Sequence, residues 1–318
     1  MRFSLTTDQT AFRDAVAELL AAQCPPAVVR GAPSAIWPRL AEMGLFGAAV
    51  PEPAGGLGLT EVDLVPVLME IGQAAVPHPV AATTAVAAPL LAAVGDARLA
   101  DVVAGLTKVS VAGPGGLFPF EADLVLVIED GRVRLSSIVE PAGSTVDTSR
   151  PLGRVGAAAG AVLTDDPGLV ELTRQRIELS SAAELIGLGR RMLALTTSYV
   201  GSRQQFGVPV GSFQAVKHHL ADAALALEFA APPVLAAGWE VANGTPDAGR
   251  AVALAAVMAS EAAAGMARAA IQCHGAIGYT VEYDLQLYVK RAWALAATID
   301  IDAHLDALAT ALDLGGPA

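Results

Sequence analysis

Leu124-Val125-Leu126-Val127-Ile128-Glu129-Asp130-Gly131-Arg132-Val133-Arg134-Leu135 interrupts a chain that otherwise carries helical spacing, and its reading decides the fold. The first five residues are a β-rich apolar run, and Asp130-Gly131 then introduces Val133 and Leu135. Asp-Gly between apolar runs is a strong hairpin signal, because both turn positions need a positive φ. Gly113-Pro114-Gly115-Gly116 upstream agrees with a small β-domain of short strands over residues 106–165.

Outward from that segment the period returns to three and four. On the N-terminal side, residues 1–105, Thr6 and Gln9 form a possible capping box ahead of Phe12, Val16, Leu19 and Leu20. A short helix is predicted from Ala35 to Met43, stopping at Gly44, and another after Thr60 through Leu64, Val67, Leu68 and Ile71. Between them, Pro51-Glu52-Pro53-Ala54-Gly55-Gly56-Leu57-Gly58 excludes helix. On the C-terminal side, residues 166–318, Leu185, Leu188, Met192 and Leu195 open a series continued by Phe213–Phe229, Ala251–Gln272 and Leu285–Ala297. The expected fold is mainly α with a small β-domain: an N-terminal helical domain, a truncated middle β-domain, and a C-terminal four-helix bundle.

Composition narrows the function. The chain has 318 residues, 53% hydrophobic and 16% charged, with 32 acidic against 20 basic residues and a net charge of −12. Such a chain repels nucleic-acid backbones and anionic lipid. Two cysteines, Cys24 and Cys273, suit a reducing compartment rather than a disulfide scaffold. The charge-free stretch Ile71–Gly95 contains Pro77, Pro79 and Pro89 and is rich in alanine, so it makes a poor spanning helix. The first eight residues show no apolar signal core. A cytoplasmic protein, binding neither membrane nor nucleic acid, is expected.

Four clusters could carry chemistry. Arg203-Gln204-Gln205-Phe206-Gly207 joins a cation, an aromatic ring and a glycine at a helix end, suiting either a pyrophosphate or a simple C-cap. Gln272-Cys273-His274-Gly275-Ala276-Ile277-Gly278-Tyr279 offers close backbone amides, or merely a tight turn; it lacks the Lys-Ser/Thr of a P-loop and the preceding strand of a dinucleotide fold. His218 and Asp222 share a helix face, more simply solvated than metal-binding. Lys290-Arg291 is most simply a charged helix face.

Taken together and in order, these segments resemble the acyl-CoA dehydrogenase family. The resemblance is carried by Leu45-Phe46-Gly47 through Pro51-Glu52 to Gly55-Gly56-Leu57-Gly58, by Arg203 to Gly207, by Phe213-Gln214-Ala215-Val216-Lys217-His218, and by Gln272 to Tyr279, and it covers nearly the whole chain. It implies FAD as cofactor, Cα–Cβ desaturation of an acyl-CoA, and an electron-transfer flavoprotein as acceptor. By resemblance, Arg203 would contact the FAD pyrophosphate and Phe206 would pack near the adenine, both reaching into a neighbouring subunit. Gln272, Gly275 and Gly278 would meet the dinucleotide from the other side, and Gln214 would assist.

The departures are as informative. The family's usual catalytic glutamate position falls on Ile299, or on Asp300 if Arg291 rather than Lys290 is matched; the minority position falls on Ile177. Glu178 points about 100° away from Ile177, and Glu184 lies two turns along, where a helix-packing role is expected. The β-domain offers no counterpart to the family's flavin-cradling segment. A short subunit with both base positions apolar resembles one member of the actinobacterial α2β2 dehydrogenases of steroid degradation. There the partner supplies the catalytic glutamate and the shorter chain completes the FAD site. The alternatives are a self-sufficient homomeric enzyme with Asp300 as base, and a non-catalytic scaffold.

Overall fold

The computed structural model describes residues 4–137, 139–143, 145–155 and 160–314. Six helices make the N-terminal part: α1 (Thr7–Gln23), α2 (Pro26–Val29), α3 (Ile36–Glu42), α4 (Glu61–Ala74), α5 (Ala88–Ala93) and α6 (Leu99–Val103). The Thr6–Gln9 capping box forms as expected, and Thr60 and Asp63 make a second at α4. Gln9 Nε2 donates to Asp63 Oδ1 at 3.0 Å, so the two boxes also tie α1 to α4. The 51–58 loop is not wholly free of helix: Glu52–Ala54 makes a single 3-10 turn. Such a turn tolerates proline because its first N–H has no helical partner to lose.

Among the described residues seven strands follow: β1 (Val109–Val111), β2 (Leu117–Pro119), β3 (Leu124–Glu129), β4 (Arg132–Ser136), β5 (Val139–Gly143), β6 (Leu152–Val155) and β7 (Ala161–Thr164). They form two sheets, ordered β1-β3-β4-β7 and β2-β6-β5. The β3–β4 hairpin closes at Asp130 (φ 49°) and Gly131 (φ 69°), the doubly positive turn that its sequence demands. Its inner face (Leu126, Val133, Leu135) packs on Val86, Leu90 and Leu91 from the proline-bearing 71–95 stretch. That stretch therefore walls the β-layer. Its π-helical turn Ala82–Ala87 is pinned by Thr83 Oγ1 donating to the Val109 carbonyl at 2.9 Å.

The rest is α7 (Pro167–Ser202), a two-strand hairpin of β8 (Gln204–Gln205) and β9 (Val208–Pro209), then α8 (Gln214–Ala242), α9 (Ala248–His274), α10 (Leu285–Ala296) and α11 (Ile301–Ala311). The helix expected to end near Phe229 continues through Pro232 and Pro233 to Ala242. Buried Val234, Ala237 and Val241 hold that last stretch in the bundle, and tertiary packing outweighs the lost backbone bonds. By length and apolarity alone α8 and α9 could cross a membrane; α9 is mostly buried in the bundle, whereas α8 leaves Leu225 and Phe229 exposed.

α4 and α7 cross at backbone distance. A Cβ on Gly187 would overlap the Met69 carbonyl oxygen, and one on Gly72 would overlap the Glu184 carbonyl oxygen. Gly187→Ala is therefore expected to lower stability by about 2–3 kcal/mol, the upper range for overpacking, measured as a lower urea midpoint. An exposed Gly201→Ala control should show no such loss, because its Cβ would meet nothing within 4 Å.

Candidate functional site

A cavity of about 150 Å³ lies between the β-layer, α7 and the end of α10. Ile177 and Ile299, the two positions expected to carry a base elsewhere in the family, both line it. They stand 122 residues apart in sequence and meet only through the fold, so neither isoleucine is incidental surface. Asp300 does not line this cavity: it is exposed, and its Oδ1 accepts from Ala303 N–H at 3.1 Å as the N-cap of α11. In this structure the Asp300 side chain serves as a helix cap. Asp300→Asn is expected to leave stability within about 0.5 kcal/mol, since asparagine caps as well as aspartate, and to leave turnover of the assembled enzyme unchanged.

Two carboxyls do reach the cavity. Glu184 was expected only to pack helices; its carbonyl does abut Gly72, but its side chain lines the cavity wall. Burial pushes its carboxyl pKa up against the opposing pull of Arg291 and Arg150. Glu178 also lines the cavity and is pushed up by burial, with His304 Nε2 3.6 Å away.

Arg291 overturns the charged-face reading of Lys290-Arg291. Its side chain is buried and donates through Nε to Asp147, through Nη1 to the Val76 carbonyl at 3.0 Å, and through Nη2 to Ser149 Oγ at 2.6 Å. Asp147 accepts in addition from Ser149 N–H (3.0 Å) and Oγ–H (2.6 Å). Burial alone would push the Asp147 carboxyl up, but Arg291 and the Ser149 bonds outweigh it and hold the group below the usual carboxylate range. One guanidinium thus joins α10, the β5–β6 loop and the chain leaving α4. The neighbouring Arg150 and Arg291 lie 5.2 and 5.1 Å from the Phe120 ring centroid. Nothing in the period or spacing of Thr145-Val146-Asp147-Thr148-Ser149-Arg150 announces this cluster.

A second site lies at the far end of α7. Arg203 is the C-cap, its N–H donating to the Tyr199 carbonyl at 2.8 Å, and its side chain is exposed. The hairpin turns at Phe206 (φ 54°) and Gly207 (φ 79°), which leaves Phe206 93% exposed, its ring 6.2 Å from Phe213 and edge-on to it. Gln214, the first residue of α8, and Gln272, near the end of α9, are both exposed. Gly275–Tyr279 is a 3-10 turn, the helix-ending turn anticipated as one alternative; Gly275 is exposed and Gly278 buried against His274. The two motifs meet through Tyr199, which stacks on His274 at 4.3 Å one turn before Arg203. His274 is further fixed by Ala270 O (2.8 Å) and Tyr283 Oη (3.2 Å). The structure therefore groups Arg203, Phe206, Gln214, Gln272, Gly275 and Gly278 at one end of the bundle. Arg203 is about 39 Å along α7 from Ile177 at 1.5 Å per residue, so its motif cannot serve the chain's own cavity. His218 and Asp222 are exposed on α8, and among the described residues no three His, Cys, Asp or Glu side chains stand together to hold a metal.

Known proteins share this architecture. A family model described as acyl-CoA dehydrogenase, N-terminal domain, matches residues 6–102, and one described as acyl-CoA dehydrogenase, C-terminal domain, matches residues 170–298. The chain is 34% identical over 303 residues to the acyl-CoA dehydrogenase IpdE2 of Mycobacterium tuberculosis, covering 91% of this chain and 92% of that one. A chain in the crystal structure of the ChsE4-ChsE5 complex from Mycobacterium tuberculosis superposes with a TM-score of 0.82 at 24% identity, covering 100% of both chains. A chain of the Tcur3481-Tcur3483 steroid ACAD, in its G363A variant, gives 0.83 at 24% identity, covering 97% of this chain and 98% of that one.

Proposed function

This chain belongs to the acyl-CoA dehydrogenase family, and on that footing we propose that it is the shorter subunit of a two-chain FAD-dependent dehydrogenase. The substrate class proposed is a bulky, steroid-derived acyl-CoA thioester, and the partner is a related chain bearing the catalytic glutamate in an α2β2 assembly. One observation carries the reading. The chain holds two partial sites about 39 Å apart along α7: a cavity with isoleucine at both base positions, and an exposed dinucleotide-type surface at the other end. Each becomes useful when a second chain abuts it. The similarity to chains taken from two-protein complexes, one of them described as a steroid enzyme, supports the same assembly.

The residues present fit part of FAD. The cavity, at about 150 Å³, is well below the roughly 300–1,000 Å³ of ordinary ligand pockets and does not fit a flavin ring together with an acyl chain. The surface at the bundle end does fit the dinucleotide's other half. Arg203 presents a planar fork matching two phosphate oxygens, Phe206 presents an open ring face for adenine, and Gln214 and Gln272 present side-chain amides beside the turn at Gly275 and Gly278. Bound FAD supplies the acceptor for the Cβ hydride. This chain's residues bind and orient the cofactor, while the α-proton is taken by the partner's carboxylate because neither Ile177 nor Ile299 can hold one. Electrons then pass to an electron-transfer flavoprotein, and the assembly works in the cytoplasm.

Co-expression with a glutamate-bearing partner subunit tests the reading. Flavin absorbance and acyl-CoA desaturation should appear together in a two-chain species on size-exclusion chromatography. A homo-oligomer of this chain carrying stoichiometric FAD and turning over alone would sink it.

A further inference from the structure

Arg150 is a buried cation with no hydrogen-bond or ion-pair partner among the described residues. Its side chain is 6% exposed, and Nε and Nη1 are buried with no hydrogen-bond partner among the described residues. Leaving a buried charge unmatched is costly, and Arg291 and Arg176 each avoid it: Arg291 is paired with Asp147, and Arg176 Nε reaches Glu61 Oε1 at 2.6 Å. Burial, then the Arg291 charge, lowers Arg150 to about 10, which still leaves it protonated at neutral pH.

Arg150, Phe120, Ile177 and Ile299 all line the cavity, and Phe120 is held there at φ 70°, a conformation that a side-chain-bearing residue seldom adopts. Glu184 lines the same cavity but makes no ion pair with Arg150 within 4.0 Å. Because burial pushes the Glu184 carboxyl up, it holds its proton more readily and repels an incoming anion less.

We propose that this cavity binds a small organic carboxylate, with Arg150 donating to the carboxylate oxygens and the apolar body lying against Ile177, Ile299 and Phe120. The fork of a guanidinium matches a carboxylate better than any other common ligand group except phosphate. The apolar walls then select a carboxylate with a hydrocarbon body over an inorganic anion. The volume admits a body of roughly benzene size, as engineered apolar cavities of about 150 Å³ do. This site lies far from Arg203, and its occupation does not depend on the flavin reading.

Benzoate, benzyl alcohol and inorganic phosphate separate the contributions by calorimetric titration of the full chain, in whichever assembly it purifies. Benzoate should bind once per chain, and benzyl alcohol and phosphate about tenfold more weakly or worse. Arg150→Met should weaken benzoate about tenfold or more while raising the melting temperature of the ligand-free protein, since an unmatched buried charge gives way to an apolar side chain of similar length. Arg150→Lys, which keeps the charge, should retain part of the binding. Absence of benzoate binding at millimolar concentration overturns the proposal. So does phosphate binding as tightly as benzoate, or an Arg150→Met variant that binds benzoate unchanged.

Discussion

Replacing Arg203 by alanine is expected to strip FAD from the reconstituted two-chain enzyme while leaving this subunit folded. A guanidinium bound to phosphate oxygens contributes charge-assisted hydrogen bonds whose loss at an exposed site should cost about 1.5–3 kcal/mol in all, so flavin affinity should fall by roughly ten- to 150-fold. The fold has little to lose. The Arg203 side chain is exposed, and the contact the helix end needs is its backbone N–H to the Tyr199 carbonyl, which alanine keeps. The readout is the ratio of flavin to protein absorbance after gel filtration, alongside a melting curve of the isolated variant. Arg203→Lys should recover only part of the loss, because an ammonium cannot match two oxygens in one plane. Phe206→Ala should add to the deficit, since its ring is 93% exposed and makes one edge-on contact, with Phe213, that stabilises little. If Arg203→Ala leaves flavin content unchanged, the motif is a helix cap and the scaffold reading gains.

That the Arg203 and Gln272 motifs can be read in the sequence while the cavity cannot has a physical cause. Arg203 to Gly207 and Gln272 to Tyr279 are contiguous, and each is bounded by helix-end chemistry that local rules describe. The Asp130-Gly131 hairpin and the Thr6–Gln9 box are local in the same way, and both form as their residues require. The cavity instead draws on the β5–β6 loop, α7 and the end of α10. No periodicity relates Asp147 to Arg291, and a basic pair on an amphipathic helix ordinarily faces water. The burial of Arg291 is decided by the loop that descends onto α10, which composition does not reveal. Pro232-Pro233 misleads in the opposite direction: local rules end the helix there, and close packing of Val234, Ala237 and Val241 carries it on. Glu184 combines both effects, its backbone fixed by the α4–α7 crossing and its carboxyl delivered to a cavity that two distant isoleucines complete.

The second large effect should come from Asp147. Asp147→Ala removes the only acid paired with Arg291 among the described residues and leaves Arg291 and Arg150 facing the same Phe120 ring, with Glu184 the remaining carboxyl whose charge reaches both. Breaking a buried pair from one side costs about 3–5 kcal/mol, because the surviving charge stays desolvated. Against a total stability of about 5–15 kcal/mol, that should lower the urea midpoint substantially or prevent accumulation of folded protein. The Asp147 carboxyl titrates below its unfolded value, so its contribution is fully present above the unfolded pKa and disappears as pH falls through the folded one. Asp147→Asn, which keeps the shape, should accordingly lower stability at neutral pH and flatten its loss in the acid range. Replacing both partners, Asp147→Leu with Arg291→Met, should restore much of what either single change removes, since no unmatched charge is then left at that pair. A double variant no more stable than the singles would mean that the staple acts through its bonds to Val76 and Ser149, which link three elements, rather than through the charge pair.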